Sequence, residues 1–368
     1  MDIPTTASPA GGFPVVLFLH GWVGIDGAPS FDFYLKGESS YQAMIDFYVD
    51  AGYVVLTPGF RGHGGADGID FMAAWDNGSY VSPVFYAIDT LNLIDSLDSV
   101  AGQADMAELF DIDTEHVFLA SHSQGGDVAL IAAAVAGEGS RLRHGVAGTS
   151  IWAGTFQSRF VQLETYYPMQ TTTEAFFAGD GSWNGTPVGD DGTVNKHFVF
   201  AYPSDWIGTT DRSTWTWQHE TWSLPSVADA WNVKLEQMYS AVNESVEDID
   251  GASYAIVQED GVASIRHDER VEAAMAEIGA FHTPEYLTEP LSLHFSDRDF
   301  YSFPDWNHEL CRRVNGAGGD CTAHAYPGTN HSLRVSEHRW FSPEGTGDGF
   351  AVALQRDQRR FEQTRKAR

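Results

Sequence analysis

The chain has 368 residues, 43% hydrophobic and 13% aromatic, which suits a sizeable buried core and excludes a disordered or fibrous protein. A formal net charge of −30 repels polyanions and excludes nucleic acid and anionic membrane surfaces as natural partners. No run of about 18 apolar residues occurs, so no membrane span is expected.

The first predicted strand, residues 15–19, comes almost at once and leads into His20-Gly21-Trp22. So abrupt a start leads us to expect that a leader and early strands lie outside this chain. A secreted or periplasmic location is favoured on that ground, the cytoplasm being the alternative. A helix over 41–51, a strand over 53–57 and the loop PGFRGHGGADG (58–68) come next. Residues 86–97 form a helix with Ile88, Leu91, Leu93 and Ile94 as its apolar positions. A strand over 117–120, a helix over 126–136 and a strand over 145–152 follow. Apolar strands alternating with helices predict a mostly parallel sheet with helices on both faces.

After Gly154 the alternation breaks, and the stretch 155–285 is far longer than an ordinary connection. It holds Trp183, Trp206, Trp215, Trp217, Trp222 and Trp231, with helical patterns over 226–246 and 267–281. We read 155–285 as a large aromatic-rich cap inserted over the C-terminal edge of the sheet. Most of its tryptophans are expected to form a small core of their own, and a few to face the site. Residues 1–154 and 286–368 are then the core domain. The alternation resumes with a strand over 291–295, a helix over 306–314, a strand over 322–326 and a basic terminal helix over 350–368. Cys311 and Cys321 flank the turn NGAGGD. They form either a disulfide, which points to an oxidising compartment, or two buried thiols.

The chemistry gathers just after the predicted strands, where an open parallel sheet presents its ligands. Ser123 lies in SHSQG (121–125), between a strand and a helix. A serine on such a strained turn needs small neighbours, which Gly125, Gly126 and Ser121 supply. A hydroxyl also needs a base, a group that orients the base, and donors for an oxyanion. His331, in the loop after strand 322–326, is the candidate base. Asp299, after strand 291–295, is the candidate acid, with Asp297 as the fallback. The oxyanion donors would be the backbone N–H groups of Gln124 and Trp22. Arg61, His122 and Trp152 stand close enough in sequence to these loops to be candidate substrate contacts. The Asp/Gly runs at 179–193 and 247–252 lack calcium-ligand spacing and are read as turns, so neither metal nor cofactor is expected.

The stretches LFLHGW, GYVVLTPGFRGHGGADG, YAIDTLNLIDSL, SHSQGGDVAL, SDRDF and YPGTNHS resemble successive landmarks of an α/β-hydrolase. Prolyl-oligopeptidase-like esterases and peptidases are the nearest match, over about residues 13–154 and 286–340. The resemblance implies the α/β-hydrolase fold, a Ser–Asp–His triad and no cofactor. Two departures are plain: Ser121 replaces the first glycine of G-x-S-x-G, and Phe295-Ser296 stands where His-Gly often precedes the acid. The implied reaction is hydrolysis of a small-molecule carboxylic ester through an acyl-enzyme. Peptidases of this group usually carry an N-terminal propeller, for which this chain has no room, and that favours the ester. A serine peptidase or amidase acting on short peptides is the alternative. A non-catalytic binding module of the same fold is the third reading. The sequence carries no expectation for oligomeric state.

Overall fold

The computed structural model describes residues 1–21, 41–61, 81–102, 111–171, 224–260, 262–296, 299, 301–327, 329, 331–334 and 348–367. In chain order the core elements are β1 (Phe13–Leu19), α1 (Gln42–Asp50), β2 (Val54–Leu56), α2 (Val84–Asp95), α3 (Leu97–Ala101), β3 (Ile112–His122), α4 (Gln124–Ala136) and β4 (Val146–Trp152). Next come α5 (Arg159–Thr171), α6 (Leu224–Ser245), β5 (Ala255–Glu259), β6 (Val262–Arg266) and α7 (Glu269–Ile278). The chain closes with β7 (Leu291–Ser296), α8 (Pro304–Gly316), β8 (Cys321–Tyr326) and α9 (Asp348–Ala367). Among the described residues, no helix is long and apolar enough to cross a membrane.

Six strands form one sheet in the order β2-β1-β3-β4-β7-β8, every neighbouring pair parallel. Period-two alternation sorts their side chains. Val15, Leu17 and Leu19 of β1 join a cluster with Tyr86 of α2, Val128 of α4 and Leu310 of α8. Val16 and Phe18 join the opposite cluster, with Met44 and Tyr48 of α1 and Leu354 and Phe361 of α9. Both faces are buried, so the strands read as continuous apolar runs. The order reverses between β1 and β3. Crossovers leave in opposite directions there and open a crevice at the strands' C-terminal ends.

The stretch after β4 buries a third cluster, in which Phe160 and Leu163 of α5 meet Leu235 and Val242 of α6 and Val271 and Met275 of α7. Its antiparallel hairpin β5–β6 has no counterpart among the sequence expectations. β5 is mostly exposed and so carries no apolar run to announce it. Five of the six tryptophans of this stretch, Trp183 to Trp222, lie outside the described residues, as does the 179–193 run.

Cys311 of α8 and Cys321, the first residue of β8, are joined as a disulfide with Cα atoms 5.1 Å apart. Asn315 staples the same junction, accepting from Cys321 N–H at 2.8 Å and donating to Cys321 O at 3.0 Å. In the chain-entropy account, closing so short a loop is worth about 3 kcal/mol. Replacing both cysteines with alanine is expected to lower unfolding stability by roughly that amount. Urea titration of the two proteins checks it, and an unchanged midpoint would refute it.

Candidate active site

β3 ends at His122 and α4 begins at Gln124, so Ser123 alone makes the turn. It does so at φ 55° and ψ −124°, a conformation that strains any L-residue by roughly 1–3 kcal/mol. Its N–H donates to Trp152 O at 2.9 Å, and its carbonyl accepts from Gly126 N–H at 2.8 Å. The glycines that follow are demanded by crowding. A Cβ at Gly125 would stand 2.1 Å from Leu19 O, and one at Gly126 would stand 2.6 Å from Ile151 Cγ2. Ser121 is a different case. It is fully buried between Leu19 of β1 and Ile151 of β4, and its hydroxyl donates to Ser150 O at 3.2 Å. The left-handed backbone falls at Ser123 and not at Ser121, so position 121 has to be small but need not be glycine.

His331 and Asp299 are both 4% exposed, and Asp299 Oδ2 lies 2.7 Å from His331 Nδ1. The other carboxylate oxygen accepts from the N–H groups of Tyr301 at 2.9 Å and Ser302 at 3.3 Å. A carboxylate so surrounded by donors acts as an acceptor, which puts the imidazole proton on Nδ1 and makes Nε2 the basic nitrogen. Tyr301 packs against the His331 ring with centroids 5.2 Å apart. His122, the residue before Ser123, also packs against it, with ring centroids 4.7 Å apart. No hydrogen bond joins Ser123 Oγ to His331. Such bonds are often long without substrate and tighten in the complex.

Gly21, two residues past the end of β1, lies close to the serine. A Cβ on Gly21 would stand 3.1 Å from Ser123 Cβ. His20 secures this loop. Its Nε2 accepts from Phe60 N–H at 3.3 Å, and its Nδ1 lies 2.8 Å from Gly21 O. Burial pushes its ionisation down to about 4, so the ring is neutral and donates through Nδ1. Gln124 is the first residue of α4, where its N–H lies at the positive end of the helix. Trp22 and Asp297 lie outside the described residues.

No family model and no curated protein matches the chain. Solved structures do. An inhibited esterase B from Lactobacillus rhamnosis is similar at a TM-score of 0.52 and 12% identity, over 99% of this chain and 81% of that one. A putative dipeptidyl aminopeptidase IV from Bacteroides ovatus is similar at 0.51 and 11% identity, over 98% of this chain. This chain spans only 32% of that peptidase's length. The fold is the α/β-hydrolase fold. The sequence landmarks that resembled it therefore led to the right architecture.

Within this α/β-hydrolase fold each of the three candidate substrate contacts has a partner within the protein. Arg61 donates through Nε to Asp89 Oδ2 of α2 at 2.8 Å, and its Nη2 pairs with Asp89 Oδ1, which ties the loop after β2 to a helix. Trp152, the last residue of β4, is fully buried, and its indole N–H donates to Asp357 at 2.8 Å. His122 is 3% exposed, and protein atoms meet both ring nitrogens. Counting by twos along β3 from Phe118 through Ala120 puts His122 on the face covered by α1 and α9.

Two buried acids escaped the sequence reading. Asp127, one turn into α4, meets Arg159 at 2.5 Å and Thr155 at 3.2 Å, which ties the helix after Ser123 to the start of α5. Burial pushes this carboxyl up to about 7, against the pull of Arg159 and Thr155. Asp357 of α9 is fully buried and accepts four bonds: from Tyr48 at 2.9 Å, Ser150 at 2.7 Å, and Trp152 and His294 at 2.8 Å. Trp152 and His294 matter for the elbow through their carbonyls, which accept from the N–H groups of Ser123 and Ala153. Asp357 thus braces the two strands that hold the turn.

Proposed function

We propose that the protein is a serine hydrolase that cleaves small carboxylic esters through an acyl-enzyme. The observation that carries this reading is a strained one-residue serine turn after β3 together with a buried His331–Asp299 pair in the loops after β8 and β7. His331 Nε2 takes the proton of Ser123 as its oxygen attacks the ester carbonyl. Backbone N–H groups of Gln124 and Trp22 receive the oxyanion, and the closeness of Gly21 to Ser123 supports the second donor. The protonated His331 then gives its proton to the departing alcohol. Water, deprotonated by the same nitrogen, releases the acid. Asp299 remains ionised and stabilises the imidazolium. Residues 155–285 serve as a cap over this edge. The buried Asp127–Arg159 pair supports that role by binding the start of the stretch to the helix after the serine.

The test is turnover of a nitrophenyl ester series beside an aminoacyl-nitroanilide series. Ester turnover well above anilide turnover is the expected result. Faster anilide cleavage would assign a peptidase instead. No turnover, with no labelling by a fluorophosphonate, would leave a binding module.

A further inference from the structure

Tyr41 and His122 are buried beside Gly21 and His331 yet do nothing in the hydrolytic steps. Their hydrogen bonds have one self-consistent direction. His122 Nε2 lies 2.9 Å from His331 O. A carbonyl only accepts, so Nε2 carries a proton. Burial, and then the neighbouring His331, push the His122 ionisation down to about 3. At neutral pH the ring therefore has a single proton, and Nδ1 is an acceptor. The atom 2.9 Å from Nδ1 is Tyr41 Oη, which must donate. Having given its only proton, that oxygen accepts Gly21 N–H at 3.0 Å. One carbonyl sets the direction of the whole chain, from Gly21 through Tyr41 and His122 to His331.

Each end of this chain belongs to a different part of the site. Gly21 lies close to Ser123, and His331 is the proposed base. The middle is rigid. The Tyr41 carbonyl accepts from the N–H groups of Met44 and Ile45 in α1, at 2.9 and 3.0 Å, and its ring packs on Phe18 with centroids 5.1 Å apart. We propose that Tyr41 and His122 are positioning residues, a neutral bridge that holds the oxyanion side of the site in register with the base. The proposal rests on the serine hydrolase reading. Neutrality suits the task, because a second imidazolium 4.7 Å from His331 would oppose the charge that forms there during acyl transfer.

Tyr41→Phe keeps the packed ring and removes the hydroxyl. Both kcat for a nitrophenyl ester and the rate of fluorophosphonate labelling are expected to fall roughly 10- to 100-fold, with KM and melting temperature little changed. His122→Gln, whose amide keeps a donor and an acceptor, should retain more of kcat than His122→Leu. Nitrogen NMR of the folded wild type should find His122 neutral with its proton on Nε2. A wild type that resists labelling would overturn the hydrolase reading. A labelled wild type matched in rate by Tyr41→Phe would overturn the bridge and leave that reading standing. A His122 protonated on Nδ1 would overturn the bridge whatever the activity.

Discussion

Ser123→Ala is expected to lower kcat for ester hydrolysis by roughly 10⁴-fold or more, with KM and melting temperature close to wild type. The alanine fills the same turn without an oxygen, so the covalent route is lost while the fold stays. Asp299→Asn should cost a similar factor for another reason. The oxygen of the new amide would still face the N–H groups of Tyr301 and Ser302, which leaves its NH₂ toward His331 Nδ1. The imidazole would then place its proton on Nε2, where the base is needed, and the ring could not take the serine proton. Because nucleophile and base act as a unit, Ser123→Ala combined with His331→Ala should be little worse than either alone. Steady-state kinetics on a nitrophenyl ester decide the matter. Ester turnover that survives Ser123→Ala would remove Ser123 from the mechanism.

The largest effect on stability is expected at Asp357. Its carboxylate gathers donors from α1, β4 and β7, and all of it is out of water. Asp357→Ala would leave those donors buried without their acceptor, and breaking a buried charged network typically costs about 3–5 kcal/mol. The loss should show as a lower urea midpoint at unchanged slope. A shift worth under about 1 kcal/mol would mean that the network contributes little. The pH dependence gives a second check. Burial alone would raise the Asp357 pKa, but His294, Ser150 and Trp152 outweigh it and hold the carboxyl below its usual range. A depressed carboxyl stabilises the fold above its unfolded pKa, and that contribution is lost as pH falls through the folded value. The gap between wild type and Asp357→Ala should therefore narrow in acid.

The sequence by itself determined the layered architecture. Continuous apolar strands such as 15–19 and 117–120 have to be covered on both faces, and the short helices between them impose parallel crossovers. It also placed Ser123, Asp299 and His331 just after strands, because strand ends and tight turns are local features of the chain. Ser121 shows how far local reading goes: the need for a small residue was legible, the reason glycine is dispensable was not. That reason is the location of the left-handed backbone two residues later. Tertiary structure alone decided which partners the neighbours of the turn meet. His122 adjoins Ser123 in sequence, and strand alternation turns it toward the face covered by α1 and α9, but only packing brings it to Tyr41. Asp357 meets Tyr48 across 309 positions and Trp152 across 205, separations over which no periodicity or motif carries information. Strand and helix periods are set by the backbone within a few residues, and so they are written locally. A buried hydrogen-bond network exists only once distant elements have packed and excluded water, and its members become recognisable only then.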